Sequence, residues 1–326
     1  MEGIIAGKDW PGVSDDGTRI SLKDGQGIVT DIMRFSLKDG PGIRTTVFLK
    51  GCNMACKWCH NPETFSMAPQ LMRYPANCIG CGACAAACQS GAMGVESAAS
   101  FVEIVYDRGK CDSCGACADV CFSGALVISG RKMGVADVMS EVLQDIDYYR
   151  NSGGGLTVSG GEVACQPEFT EELLRAAKGA GIHTAIETNM HANWRVFKTM
   201  LPWLDLVMLD IKLSGGAAHM EWTGVDNALA LENTRRIAEL KPTIVRTPIV
   251  PGVNDSVEEI GRIAGIVRGL KNVVCYELLS YNPLGEGKYT ALDMGHEFRG
   301  ARPPGRDKTD GLMAAARACG APVKLV

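Results

Sequence analysis

No block of lysine or arginine interrupts this 326-residue chain, whose formal net charge is −4. A nucleic-acid partner or a polybasic membrane contact therefore has no footing in it. No apolar run approaches the roughly 20 residues that span a bilayer. The N-terminal stretch MEGIIAGKDWPGVSDDG also lacks the basic start and apolar core of a secretory signal. These absences exclude a membrane and point to the cytoplasm. Thiols stay reduced there, so the fourteen cysteines read as metal ligands rather than disulfides. One absence says more than the others. Cys52-x₃-Cys56-x₂-Cys59, in GCNMACKWCH, has three thiolates at ligand spacing and no fourth. A closed [4Fe–4S] cluster takes four cysteines, so three leave one iron open to a small molecule.

Eight further cysteines form two matching runs, Cys78-x₂-Cys81-x₂-Cys84-x₃-Cys88 and Cys111-x₂-Cys114-x₂-Cys117-x₃-Cys121. Each has the spacing of the bacterial ferredoxin [4Fe–4S] run, with Gln89 and Phe122 where proline usually follows the last cysteine. In two-cluster ferredoxins that last cysteine serves the other cluster. The rule assigns Cys78, Cys81, Cys84 and Cys121 to one cluster, and Cys111, Cys114, Cys117 and Cys88 to the other. Zinc fingers space their cysteines differently. Cys165, Cys275 and Cys319 stand alone and read as small buried hydrophobes.

Around these runs, residues 72–130 are rich in Cys, Gly and Ala and have no helical apolar periodicity. Beyond them strand and helix alternate. Gly134–Arg150 carries an apolar stripe at helical spacing, and glycines 153–155 end it. Pro167 opens a second helix with Phe169, Leu173 and Ala176 inward, and Ser256 with Glu259 forms a capping box. Short apolar runs at Arg44–Lys50, Leu156–Val158, His183–Ile186, Leu206–Leu209, Thr243–Pro248 and Val273–Leu278 give six β/α units. The fold class is α/β, a partial (β/α)6 barrel with sites at the C-terminal ends of its strands. ISLKDGQGI, from Ile20, is nearly repeated in FSLKDGPGI, from Phe35; it reads as a hairpin or arm of no assigned function.

Trp58 before the third cysteine completes a pattern that resembles the radical S-adenosylmethionine (SAM) superfamily. The segments Asp39–Thr45 (DGPGIRT), Cys59–Glu63 (CHNPE), Thr157–Glu162 (TVSGGE), Val207–Lys212 (VMLDIK) and Val250–Asp255 (VPGVND) narrow the resemblance. With the doubled cysteine runs they resemble the activating enzymes of glycyl radical enzymes, over residues 30 to 290. The insertion resembles that of activators serving lyases, decarboxylases and dehydratases of choline, diols, hydroxyproline, isethionate or arylacetates. The resemblance implies a radical SAM barrel at 31–71 and 131–326, a ferredoxin-like bis-[4Fe–4S] insertion at 72–130, and an N-terminal extension at 1–30. It implies three [4Fe–4S] clusters, reductive cleavage of SAM at Cys52, Cys56 and Cys59, and hydrogen abstraction from a backbone glycine of a partner glycyl radical enzyme. The electron donor is a flavodoxin or ferredoxin, and the two closed clusters relay its electrons inward.

The resemblance also carries over contacts to SAM. Gly160 and Gly161 let the backbone approach it, and Glu162 accepts from its ammonium. Lys212 and Arg246 make polar contacts to SAM or the partner, and Asn282 stands where some relatives carry a SAM-contacting histidine. Glu187, Thr188, Met208 and Asp210 match a monovalent-cation site, or else form a network bracing the strand ends. His60 is structural. A radical SAM enzyme acting on a small molecule or peptide is the alternative activity, with the insertion clusters as electron relay. A plain electron carrier accounts only for 72–130.

Overall fold

The computed structural model describes residues 25–98 and 101–326. The first copy of the near-repeat lies, up to residue 24, outside the described residues. Thirteen strands occur among them: β1 (Gln26–Ser36), β2 (Arg44–Leu49), β3 (Gln70–Arg73), β4 (Met93–Ala98), β5 (Phe101–Tyr106), β6 (Leu126–Ser129), β7 (Arg131–Gly134), β8 (Gly155–Gly160), β9 (His183–Thr188), β10 (Leu206–Asp210), β11 (Thr243–Ile249), β12 (Val273–Ser280) and β13 (Val323–Leu325). Nine of them make one sheet in the order β13-β12-β11-β10-β9-β8-β2-β1-β7. From β2 to β13 every pairing is parallel, while β1 runs antiparallel to both β2 and β7.

The six expected strands are present, each within one or two residues of its expected end. The sequence reading missed β1, β7 and β13. β1 alternates only weakly, because its first half is buried, Ile28 and Val29 fully so, while Met33, Arg34 and Phe35 are exposed in succession.

Side chains alternate along each strand, so one face meets the helices and the other the lumen. Val47, Val158, Ile186, Val207, Val245 and Tyr276 face outward and pack with Leu173, Ile237 and Ile263 of the surrounding helices. Ala185, Met208 and Ile244 form a separate small cluster on the other face. Parity therefore sends the next residues of that row, Glu187, Asp210 and Arg246, inward at the strand ends.

Two expected helical features differ. The 134–150 stretch forms Val135–Val142 and Ile146–Ser152, separated by a 3-10 turn at Leu143–Asp145. The turn carries a fully buried Asp145, whose carboxylate accepts from Arg34 and from Thr45 Oγ1 at 3.0 Å. The Arg34 bond holds that carboxyl below its usual range. At the other helix, Ser256 Oγ accepts from the Glu259 N–H at 3.1 Å, but Glu259 does not return the bond. Its carboxylate instead accepts from Ser214 N at 2.6 Å and from Arg262, so only half of the capping box forms.

The segment from β3 to β6 builds a body of its own. β3 pairs antiparallel with β6, and β4 with β5. Two short helices, Ala83–Ala87 and Ala116–Asp119, each begin after a left-handed glycine, Gly82 (φ 73°) and Gly115 (φ 89°). Only glycine enters that region without strain. Leu71, Cys84, Met93, Cys117 and Leu126 form its core, separate from that of the barrel. No described helix is long and apolar enough to cross a membrane.

Arg44, at the start of β2, is fully buried, with Nε donating to Thr157 Oγ1 at 2.6 Å and Nη2 to the Leu156 carbonyl at 2.5 Å. It thereby ties β2 to β8 from inside. Arg44→Ala leaves those acceptors buried and unpaired and should lower stability by about 3 kcal/mol in urea unfolding. Arg44→Lys should recover less than half of the loss, because an ammonium cannot span both acceptors. A loss within experimental error would refute the tie.

Candidate active site

Strand ends and the loops beyond them make the site. β2 ends at Leu49, and Cys52 follows after the buried Lys50 and Gly51. The cysteine loop is held from two sides. Ala55 N–H donates to the Thr223 carbonyl at 2.9 Å, and Lys57 N–H to Trp222 at 3.1 Å. On the other side Gly161 N–H donates to Leu49 O at 2.9 Å and Glu162 N–H to Gly51 O at 2.8 Å. A Cβ on Gly160 (φ 112°) would stand 2.3 Å from Leu49 N, and one on Gly161 would stand 2.1 Å from Gly51 O. The two glycines are thus required by contact within the chain, before any ligand is considered.

Cys52, Cys56 and Cys59 line one cavity of about 320 Å³ at the C-terminal ends of the strands. Ser159, Gly160, Gly161, Glu187, Thr188, Asn189, Asp210, Lys212 and Asn282 line it as well. Among the described residues no three His, Cys, Asp or Glu side chains converge as around a single metal ion. The three thiols frame a space instead. Burial pushes the Cys59 thiol up to about 12 and Cys52 well above its usual value. Iron binding would therefore have to displace protons that the protein alone retains. Met54, Trp58, Val250 and Tyr281 close an apolar shell around Cys56, with Phe298 edge-on to Trp58 at 6.5 Å. That shell keeps water from the site.

The charged residues divide into two groups. Lys212 Nζ pairs with Asp210 Oδ2 at 2.5 Å, and both line the cavity. Burial opposes the Lys212 charge, but Asp210, with Cys56 and Cys52, outweighs it and holds the ammonium above the ordinary lysine range. Arg246 is 3% exposed and does not line the cavity. It pairs with Glu187 at 2.7 Å and Glu277 at 2.8 Å and donates to the Lys38 carbonyl at 2.6 Å. Glu187 also accepts from Ser159 Oγ at 2.7 Å. Burial pushes the Glu187 carboxyl up, but Arg246 and Ser159 outweigh that and leave it below its usual range.

Several sequence expectations change here. Glu162 is fully buried, accepts from Ala164 N, Thr188 Oγ1 and Asn189 N at 3.0, 2.7 and 2.7 Å, and is absent from the cavity wall. It braces the site and does not reach a ligand's ammonium. Arg246 likewise braces, because each of its three guanidinium nitrogens already donates to an acceptor within the chain. Of the two readings of Glu187, Thr188, Met208 and Asp210, the geometry favours the bracing network. Both carboxylates already hold a cationic side chain, and the Thr188 hydroxyl serves Glu162 and Met190 N. The donor set does not fit a monovalent cation as it stands.

Asn282 lines the cavity, but its Oδ1 accepts from Leu284 N at 3.0 Å, capping the turn after β12. His60 is structural, its Nε2 bonding the Asn282 carbonyl. Asn189 was missed. Its Nδ2 donates to Asn53 Oδ1 at 2.8 Å and approaches Cys52 Sγ. The available signal was its place directly after β9. Cys165, Cys275 and Cys319 are half-buried rather than fully enclosed.

The insertion carries two more cysteine-lined cavities. Cys78, Cys81, Cys84 and Cys121 line one, of about 520 Å³. Cys88, Cys111, Cys114 and Cys117 line the other. In each, three cysteines come from one run and the fourth from the other.

Comparison with known proteins agrees with this geometry. The family described as the Radical SAM superfamily matches residues 46–264. A solved radical SAM methyltransferase from Sphaerobacter thermophilus shares the fold, with a TM-score of 0.51 at 13% identity, covering 91% of this chain and 76% of that one. The chain belongs to the radical SAM superfamily, whose members take a [4Fe–4S] cluster and SAM. Its near relatives narrow the class. The (2S)-3-sulfopropanediol sulfolyase activating enzyme of Bilophila wadsworthia is 41% identical over 79% of this chain and 86% of its own length. The isethionate sulfite-lyase activating enzyme of Nitratidesulfovibrio vulgaris is 43% identical over 77% and 82%. Within the superfamily this chain is thus an activating enzyme of a glycyl radical enzyme.

Removing Arg246 would leave the Glu187 carboxylate in the lumen without its cation, while Glu277 keeps Lys324 at 2.8 Å. Arg246→Met should cost about 3–5 kcal/mol of stability by urea or thermal unfolding. A surface-like loss well under 1 kcal/mol would contradict the bracing role.

Proposed function

We propose that this chain activates its glycyl radical partner through a site in which Cys52, Cys56 and Cys59 hold the SAM-binding cluster. In this reading Lys212, Asp210, Gly160 and Gly161 receive SAM, and a ferredoxin-like insertion at 72–130 carries two further [4Fe–4S] clusters. The remainder of the division is a barrel at 31–71 and 131–326 and an extension at 1–30. The protein works in the cytoplasm, where a reduced flavodoxin or ferredoxin feeds the insertion. The single observation that carries the reading is the meeting of three thiols and the Lys212–Asp210 pair on one cavity.

A cluster held by Cys52, Cys56 and Cys59 would supply the electron for reductive cleavage of SAM, and with it the radical chemistry that removes the glycine hydrogen. The protein's own part is binding and exclusion. Lys212 offers a cation to the methionine carboxylate and Asp210 an acceptor to its ammonium, a complementary pair for an amino acid. Gly160 and Gly161 contribute bare backbone to one wall of the cavity, packed so closely on the end of β2 that no side chain fits there. The Trp58, Tyr281 and Phe298 shell keeps water from the reacting centre. Lys38, held by Arg246, anchors the loop before β2.

For the insertion, the support is the crossed set of four cysteines on each cavity, the partition expected of a two-cluster ferredoxin. All four positions are filled, which favours electron relay over substrate ligation and so favours activation of a protein over the small-molecule alternative.

Anaerobically reconstituted protein, reduced in the presence of SAM, should release 5′-deoxyadenosine and raise a glycyl radical signal by electron paramagnetic resonance (EPR) in its partner. Cys56→Ala should abolish both while retaining the iron of the insertion. Cys81→Ala should lose about one cluster of iron and sulfide and slow activation by a flavodoxin donor. Nucleoside release by Cys56→Ala at the wild-type rate would end the proposal.

A further inference from the structure

We propose that the two four-cysteine units of the insertion act in series and in a fixed order. Cys88, Cys111, Cys114 and Cys117 form the inner station facing the three-thiol cavity. Cys78, Cys81, Cys84 and Cys121 form the outer station, where electrons arrive. The inference rests on the reading that both units hold clusters, and it adds their order.

The order follows from the register of the ribbon that carries them. β3 and β6 pair as Gln70 with Ser129, Leu71 with Ile128, Met72 with Val127, and Arg73 with Leu126. The Gln70–Ser129 rung is the barrel end. Lys50 Nζ donates to Gln70 Oε1 at 3.1 Å and to the Glu63 carbonyl, and Lys50 precedes Cys52 by two residues. Gly130, next after Ser129, lies so close that a Cβ there would stand 2.5 Å from Lys50 Cδ.

Moving outward, Leu71 and Ile128 line the cavity of Cys88, Cys111, Cys114 and Cys117. Arg73 and Leu126 line the cavity of Cys78, Cys81, Cys84 and Cys121. Two residues of strand separate these rungs, about 7 Å. Leu71 and Arg73 share one face of the ribbon, so the two cavities stand along it one behind the other.

A second line of contact leads the same way. Ile128, on the inner cavity, also lines a cavity of about 360 Å³ whose walls Asn61 and Thr64 belong equally to the three-thiol site. The described wall of the outer unit shares no residue with that intermediate cavity. Exposure of single thiols does not rank the units, since Cys78, Cys81 and Cys114 are all exposed. The apolar residues beside them do: Ile79 and Phe122, which follow Cys78 and Cys121, are 73% and 99% exposed. Both flank the outer unit.

In each turn a reduced flavodoxin, the hydroquinone, loses one electron and becomes the semiquinone. That electron passes from the outer to the inner unit and then to the three-thiol centre, and no bond within the chain forms or breaks.

The test uses full-length reconstituted protein with Cys81→Ala and Cys114→Ala, each assayed first for iron. Pulsed EPR of the SAM-bound centre reports its nearest paramagnetic neighbour. Cys114→Ala should slow its spin relaxation severalfold, while Cys81→Ala should leave it within twofold of wild type. With flavodoxin hydroquinone and rapid freezing, Cys114→Ala should leave reduction of the outer cluster at the wild-type rate and slow the three-thiol centre by an order of magnitude. Cys81→Ala should slow every remaining centre. Reversed or equal effects of the two variants would overturn the order.

Should either cysteine variant fail to load, Ile79→Asp keeps all eleven ligands. It should slow reduction by flavodoxin severalfold and leave reduction by dithionite unchanged; equal rates with flavodoxin would count against outer entry. Wild-type protein holding iron for a single cluster would defeat the two-cluster reading itself, a result distinct from a wrong order.

Discussion

The site depends on one close approach between two backbones. The end of β2 and the cysteine loop lie against the turn that leaves β8, through the bonds from Gly161 N–H to Leu49 O and from Glu162 N–H to Gly51 O. The distances a Cβ would meet at Gly160 and Gly161, 2.3 and 2.1 Å, show that no other residue fits there without moving the chain. That contact puts the three thiols at the barrel mouth. It also delivers Glu162 to a buried position where its carboxylate gathers Ala164, Thr188 and Asn189. Asn189 then holds Asn53 inside the cysteine loop. A buried carboxylate with three donors is stable where a lone one would not be, so the turn, the loop and the end of β9 form one rigid unit.

The second organising feature is the parity of parallel strands. Lumen-facing positions at the strand ends carry Glu187, Asp210, Arg246 and Glu277, and Arg246, Lys212 and Lys324 between them pair with the three carboxylates. The Glu187–Arg246–Glu277 set also reaches Lys38 and so ties the loop before β2 to the far side of the barrel. In the Lys212–Asp210 pair both partners line the cavity, whereas in the other set only Glu187 does. The protein thus uses chemically similar ion pairs for two purposes, one to hold the barrel closed and one to meet a ligand. Sequence type cannot distinguish these uses.

Much of this was legible in the chain. Cysteine spacing announced three groups, and in the structure each group of cysteines lines one cavity, with Cys88 and Cys121 crossed between the two units of the insertion. Apolar runs located the six barrel strands because buried parallel strands read as continuous hydrophobic segments. β7 and β13 escaped because edge strands need no such run, and β1 because the second half of the strand is exposed. Glu162 and Arg246 were assigned to ligand contact because their motifs lie at strand ends. Apart from Ala164 beside Glu162, their side chains turn instead to partners 26 to 208 residues away along the chain, which no local pattern reveals.

The sequence by itself set out the cysteine chemistry, since thiolate number and spacing decide whether an iron is left open, and it located the six buried parallel strands, since periodicity follows from which face is buried. Only the tertiary structure decided which polar residues meet the cavity and which brace it, because that depends on how each charge is paired across strands distant in the chain. It alone also ordered the insertion's two units relative to the barrel. The register of β3 and β6 is a matter of which rungs lie nearer Lys50, and spacing along the chain carries no distance in space.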